Sequence, residues 1–88
     1  MSWNPLINRI WGGFMNSAQE ELLAMCEEFR TDYLYDDSFI YAIPLIEEAI
    51  MEEEYNSAWR LFQETAPLNI APIDWELFEE LLMEAEYA

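Results

Sequence analysis

Lysine and histidine are absent from this 88-residue chain, and arginine occurs only at Arg9, Arg30 and Arg60. Without His, Lys or a cysteine in a polar setting, the usual pairs of nucleophile and base cannot be assembled. The single cysteine, Cys26, excludes an internal disulfide. Its place on an apolar helical face reads as a small buried side chain. The only glycines are the adjacent Gly12 and Gly13, so no glycine-rich phosphate loop exists. The longest clean apolar run, "FIYAIPLI", is interrupted by Pro44 and falls far short of the roughly 20 residues of a membrane-spanning helix. The opening "MSWNPLINRIWGG" has one arginine and no continuous apolar region, unlike a secretory signal. A reduced, cytoplasmic setting is expected.

Metal and acid–base chemistry fare no better. "TDYLYDDS" lacks the glycine and the terminal glutamate of a calcium loop. A pair of carboxylates could serve a glycosidase, but with 19 Asp and Glu some pair always has suitable spacing. A non-enzymatic protein without metal or cofactor is expected.

What is present is apolar residues and negative charge. Hydrophobic residues make up 53% of the chain and aromatics 16%, enough for one folded domain over residues 1–88 despite a net charge of −16. A compact chain of this length has a radius of gyration of about 12 Å and a diameter near 30 Å. Duplex DNA carries one charge per roughly 1.7 Å, so about 27 Å of duplex carries a comparable total. Such charge opposes folding by self-repulsion and favours association with opposite charge. Nucleic acid and anionic membranes would be repelled, and a basic protein partner is expected.

The pattern predicts an all-α bundle of about four to five short helices. Asn4 and Pro5 open the first, which Gly12-Gly13 ends. The next begins at a Ser17/Glu20 capping box, with Ala18, Leu22, Met25, Phe29 and Tyr33 as one stripe. Residues 33–43 read two ways. "YLY" and "FIYAI" could pair as a short hairpin, or one helix could run to about Tyr35 and another start at Ser38. The helical reading is preferred. From Pro44 a helix places Leu45, Ile46, Ala49 and Ile50 inward. Another, capped by Asn56 or Ser57, buries Ala58, Leu61, Phe62 and Ala66 and stops at Pro67. The last starts at Pro72 and has the clearest division of faces, Leu77, Phe78, Leu81, Leu82 and Ala85 opposite Glu76, Glu79, Glu80, Glu84 and Glu86. Trp59, Phe62, Trp75 and Phe78 read as core.

The acids cluster. Glu20, Glu21 and Glu27, Glu28 are pairs one heptad, or about 10.5 Å, apart along a helix. Glu47, Glu48, Glu52, Glu53 and Glu54 form a second group, and Glu76, Glu79, Glu80 and Glu84 a third. Asp32, Asp36 and Asp37 add charge between them. A solvated outer face explains polarity but not sign, since ordinary surfaces mix Glu with Lys. Arg30 and Arg60 could pair locally with Glu27 and Glu64, at little gain. Halophilic surfaces are also acidic, but they tend toward Asp and small apolar residues. Here Glu dominates and four Trp are present. The candidate partner-binding residues are therefore the three glutamate groups with Asp36 and Asp37. If the second and third groups lie side by side, they form one acidic strip.

Two resemblances follow. "YNSAWRLF" resembles the second helix of a tetratricopeptide repeat at Tyr55, Ala58 and Phe62, over about a dozen residues, with no second copy at the ~34-residue period of such arrays. In size, charge and lack of catalytic equipment the whole chain resembles phage-encoded DNA mimics, a likeness of composition without a shared motif. These include inhibitors of restriction enzymes, CRISPR effectors, uracil-DNA glycosylase and recombination nucleases. That resemblance implies an inhibitor in host cytoplasm, bound to a basic nucleic-acid-binding enzyme or CRISPR effector. A nuclease immunity protein or antitoxin would have the same signature. The alternative is a helical adaptor or assembly protein. Trp3 and Trp11, or other aromatics, would then anchor a partner or a homodimer.

Overall fold

The structure, a computed structural model, describes residues 16–87. The expected helix at Asn4 and Pro5, the glycine pair, Trp3 and Trp11 lie outside those residues. The described part is all-α, with α1 (Ser17–Asp32), α2 (Asp37–Met51), α3 (Tyr55–Thr65) and α4 (Pro72–Tyr87). Each helix packs on its neighbours in sequence, and α1 also packs on α4, closing a ring. The radius of gyration is 12.9 Å and the extents are 37 × 30 × 20 Å.

The stripe read on α1 faces inward, with Leu22, Met25 and Phe29 buried. Its cap sits one residue earlier than expected. Asn16 is the N-cap, its Oδ1 accepting from the Gln19 N–H at 2.8 Å while the Asn16 N–H donates to Gln19 Oε1 at 2.9 Å. Ser17 and Glu20 do not form the box. Gln19 was invisible as a structural residue because glutamine ordinarily faces water. It is 1% exposed, and its Nε2 donates to the Ile50 carbonyl at 3.0 Å, tying α1 to the end of α2. Gln19→Leu should therefore lower stability by about 1–3 kcal/mol, because the Ile50 carbonyl and the Asn16 N–H lose their partners. Ser17→Ala should stay within about 0.5 kcal/mol. Urea midpoints of the two variants check this.

No hairpin forms at residues 33–43. Helix α1 ends at Asp32, three residues short of the expected Tyr35. Asp36 then caps α2, its Oδ1 accepting from the Phe39 N–H at 3.0 Å. The aromatics that suggested alternation fit a helix better, since Phe39, Ala42, Ile43, Ile46, Ala49 and Ile50 are all buried. Helix α2 also continues through Pro44, where a new helix was expected. An interior proline costs about 3 kcal/mol by removing one hydrogen bond and crowding a carbonyl. Pro44 is exposed, and the six buried side chains of α2 outweigh the loss. Leu45, expected inside, is 53% exposed.

The turn after α2 closes by paired bonds, Glu53 N–H to the Ile50 carbonyl at 3.1 Å and Glu54 N–H to the Ala49 carbonyl at 2.8 Å. This is a Schellman motif, and its left-handed position, usually glycine, holds Glu53 at φ 63°. Helix α3 starts directly at Tyr55. Neither Asn56 nor Ser57 caps it, and Glu54 at the cap makes no side-chain bond. Pro67 ends it as expected, with Ala66 extended at φ −62° and ψ 139°. Pro72 opens α4. Phe78, Leu81, Leu82 and Ala85 are buried there, whereas Leu77, Ile73, Met83 and Tyr87 are exposed, so its faces are less cleanly divided than expected.

Phe29, Phe39, Phe62 and Phe78, one from each helix, meet at the centre. Phe62 stacks on Phe78 at 4.2 Å between centroids and lies 5.9 Å from Phe29 and 6.0 Å from Phe39. Helices α1 and α3 do not touch along their backbones, so the Phe29–Phe62 contact bridges the ring's diagonal.

Candidate functional site

Hydrogen bonds fix which segments share an end of the bundle. Gln19 reaches Ile50, and Asn16 Nδ2 donates to the Ala85 carbonyl at 3.3 Å. The start of α1, the end of α2, the α2–α3 turn and the end of α4 therefore lie together. At the opposite end Asn69 Nδ2 donates to the Tyr35 hydroxyl at 3.3 Å, joining the α1–α2 turn to the α3–α4 connector.

This topology gathers glutamates that are far apart in sequence. Glu20 and Glu21 from α1, Glu52, Glu53 and Glu54 from the turn, and Glu84 and Glu86 from α4 all belong to the first end, and all are exposed. No described arginine sits there: Arg30 is in the last turn of α1 and Arg60 is in the middle of α3. The strip expected from α2 and α4 does not form along the helices, because these lie on opposite corners of the ring. It is replaced by a convergence at one end. Glu48 is exposed on α2. Glu27 and Glu28 lie in the far half of α1, Glu79 and Glu80 at the middle of α4, and Glu76 in its first half. Asp36 and Asp37 belong to the opposite end.

Some acids have structural work. Asp36 caps α2. Glu47 is engaged by Arg30, whose Nη2 lies 2.6 Å from Glu47 Oε1 while Nη1 lies 3.2 Å from Glu27 Oε2. The Glu27 contact was expected; the Glu47 contact links α1 to α2 across 17 residues of sequence and could not be read from spacing. Among the described residues Arg60 pairs with no carboxylate, Glu64 included.

Other acids work against the fold. Glu48 in α2, Glu64 in α3, and Glu84 and Glu86 in α4 stand in last turns that contain no basic residue. A negative charge there opposes the helix dipole and costs about 0.3–1 kcal/mol at low salt.

Glu86 was named above only as part of an arc, yet it lines two adjoining depressions. One, of about 350 Å³, is bounded by Glu53, Glu54, Tyr55, Asn56, Ser57 and Glu86. The other, of about 90 Å³, runs on between α3 and α4 past Trp59, Glu79 and Met83. The opposite end, besides Asp36 and Asp37, exposes the apolar side chains Leu34, Tyr35, Leu68 and Ile73 and has a groove of about 340 Å³ that includes Leu68 and Trp75.

No described group of three or more Cys, Asp or Glu could hold a metal ion, and no described helix is long and apolar enough to cross a membrane. Cys26 is buried, and burial, helped by the nearby Glu47 carboxylate, pushes its thiol from 9.0 up to about 12. Burial also raises the Tyr33 and Tyr55 phenols above 10.0. Unfolding releases these protons more readily than the native state does. The stability these groups contribute is thus fully present below about pH 9 and is lost as pH rises toward 12, with a slope for Cys26 of up to about 1.4 kcal/mol per pH unit. Denaturation midpoints at pH 8 and above should show this fall, and a Cys26→Ala variant should show a smaller one.

No protein-family model, curated protein or solved structure matches the chain.

Proposed function

We propose that this protein is an acidic nucleic-acid mimic. It inhibits a target by occupying the target's basic DNA- or RNA-binding site, in the manner of phage anti-restriction and anti-CRISPR proteins or of nuclease immunity proteins. The observation that carries this reading is the placement of charge where it harms the fold. Glutamates stand in the last turns of α2, α3 and α4 without a basic residue, and those of α4 share one end with Glu20, Glu21, Glu52, Glu53 and Glu54. A solvated surface needs polarity, which lysine would supply there with a stabilising sign. Charge kept at a cost to stability fits a role in association, where it steers a basic partner and orients it.

The second reading, a non-enzymatic helical adaptor, draws on the opposite end. Leu34, Tyr35, Leu68 and Ile73 are each exposed in or next to the two connections that meet there and could anchor a partner without help from charge.

One experiment separates the two. Proteins captured on the immobilised domain from host lysate at low salt are challenged with duplex DNA, with RNA, and with rising salt. A mimic's target should be displaced by one of the nucleic acids. It should also be released between 0.1 M and 1 M salt, as the Debye length falls from about 10 Å to about 3 Å. Retention through both challenges would overturn mimicry and favour the adaptor.

A further inference from the structure

The acidic end continues into a groove with its own chemistry. On α3, Tyr55, Asn56 and Trp59 line it, and on α4, Glu79, Leu82, Met83 and Glu86 do so at helical spacing. Tyr55, Asn56 and Glu86 also border the larger depression beside Glu53 and Glu54, so the two adjoin and are taken together as one channel. The Trp59 ring is half-buried and held in place. It stacks on Phe62 at 5.9 Å with 17° between planes and meets Trp75 edge-on at 5.7 Å. An aromatic ring fixed between two helices, with carboxylates at intervals beside it, differs from a bare acidic face.

We propose that the α3–α4 groove is an arginine-receiving cleft, occupied by an arginine-bearing segment of the basic partner. The inference rests on the mimic reading for the existence of that partner and adds what the partner must present. Charge complementarity selects a cation, because Glu53, Glu54, Glu79 and Glu86 border the channel and no described basic residue lines it. The mixed lining selects the kind of cation. A guanidinium is planar, weakly hydrated, stacks on aromatic rings and bonds carboxylates through a fork of donors. Its three-carbon stem can lie along Leu82 and Met83 while the head meets Glu79 or Glu86. An ammonium ion matches the charge but not the ring or the fork.

The test needs no knowledge of the target. Hexa-arginine amide and hexa-lysine amide are titrated separately into the isotopically labelled protein in low-salt buffer and followed by NMR. Hexa-arginine should give its largest shifts at the Trp59 indole N–H, Met83 and Glu86 and should bind at least about threefold more tightly than hexa-lysine. Glu79→Gln with Glu86→Gln should weaken hexa-arginine binding by about fivefold or more. The charge-matched pair Asp32→Asn with Glu64→Gln, away from the groove, should weaken it by less than about twofold. These four carboxylates are exposed, so neither variant threatens the fold. Equal losses in the two variants, or shifts spread evenly over α1 and α2, would overturn the cleft and leave mimicry to rest on net charge. Displacement of captured proteins by nucleic acid tests mimicry separately, so the two readings fail by different measurements.

Discussion

Phe62→Ala is expected to remove about 3–5 kcal/mol of folding free energy, the usual range for truncating a fully packed phenylalanine. Phe62 is fully buried and, among the described rings, touches more of the aromatic core than any other. It faces Phe29, Phe39 and Phe78 from the other three helices, and Trp59 and Trp75 from the half-buried layer at 5.9 and 5.0 Å. The truncation opens a void where Phe29 and Phe62 meet across the diagonal of the helix ring, and four separate backbones would have to shift to close it. A domain of this size has a total stability of about 4–13 kcal/mol, so the loss is a large part of the whole. The melting temperature should fall by roughly 12 °C or more. Leu45→Ala on the exposed side of α2 should change stability by about 0.5 kcal/mol or less. Urea denaturation with an unchanged slope would measure both, and a Phe62→Ala loss below about 1.5 kcal/mol would show that the centre is not cooperative.

That centre was largely legible in the sequence. Phe29, Phe62 and Phe78 stand at helical spacing among other apolar residues, and periodicity alone turns them inward. Where reading failed, a tertiary contact had overridden a local rule. Pro44 looked like a helix start because an interior proline is costly, and nothing local reveals that six buried neighbours outweigh that cost. Gln19 went unread because, although its bonds with Asn16 are local, the Ile50 carbonyl becomes its partner only once α1 and α2 have docked. Glu53 sits in a left-handed turn where glycine would be expected, so the turn had no sequence signal.

The candidate site divides along the same line. The sign and abundance of charge were plain, and so was the absence of lysine and histidine. The arrangement was not. Sequence neighbours such as Glu47 and Glu48 part company, one held by Arg30 and the other in solvent, while Glu20, Glu54 and Glu86 come to a single end. Which carboxylates converge depends on helix order around the ring, and helix order is carried by side-chain contacts such as Phe29 with Phe62 that have no signature in spacing. The exposed Leu34, Tyr35, Leu68 and Ile73 were hidden for the same reason, because each lies in or next to a connection between helices.

Replacing Glu52, Glu53 and Glu54 together by Gln should weaken binding to the target by an order of magnitude or more, about 1.4 kcal/mol for each factor of ten. These are the acids best suited to the test because their side chains have no structural task. Glu52 follows the last turn of α2, Glu53 occupies the left-handed position, and Glu54 stands at the start of α3 without a capping bond. Asp36 and Glu47 would be poor choices, since one caps a helix and the other holds Arg30. Glutamine keeps the shape and nearly the helix propensity of glutamate. The dipole terms nearly cancel, because Glu52 opposes the end of α2 while Glu54 favours the start of α3. Relief of repulsion among three adjacent charges and from Glu84 and Glu86 nearby should then leave stability unchanged or slightly raised. A variant that folds at least as well and binds much less well separates the two roles of charge, since loss of structure cannot explain loss of binding. The residual affinity should also depend less steeply on salt than that of the parent, because fewer exposed charges remain to be screened. Equal binding by the triple variant and the parent at low salt would reduce the acidic end to a solvated face. Binding would then have to be sought on Glu27 and Glu28, or at the opposite end beside Tyr35 and Leu68.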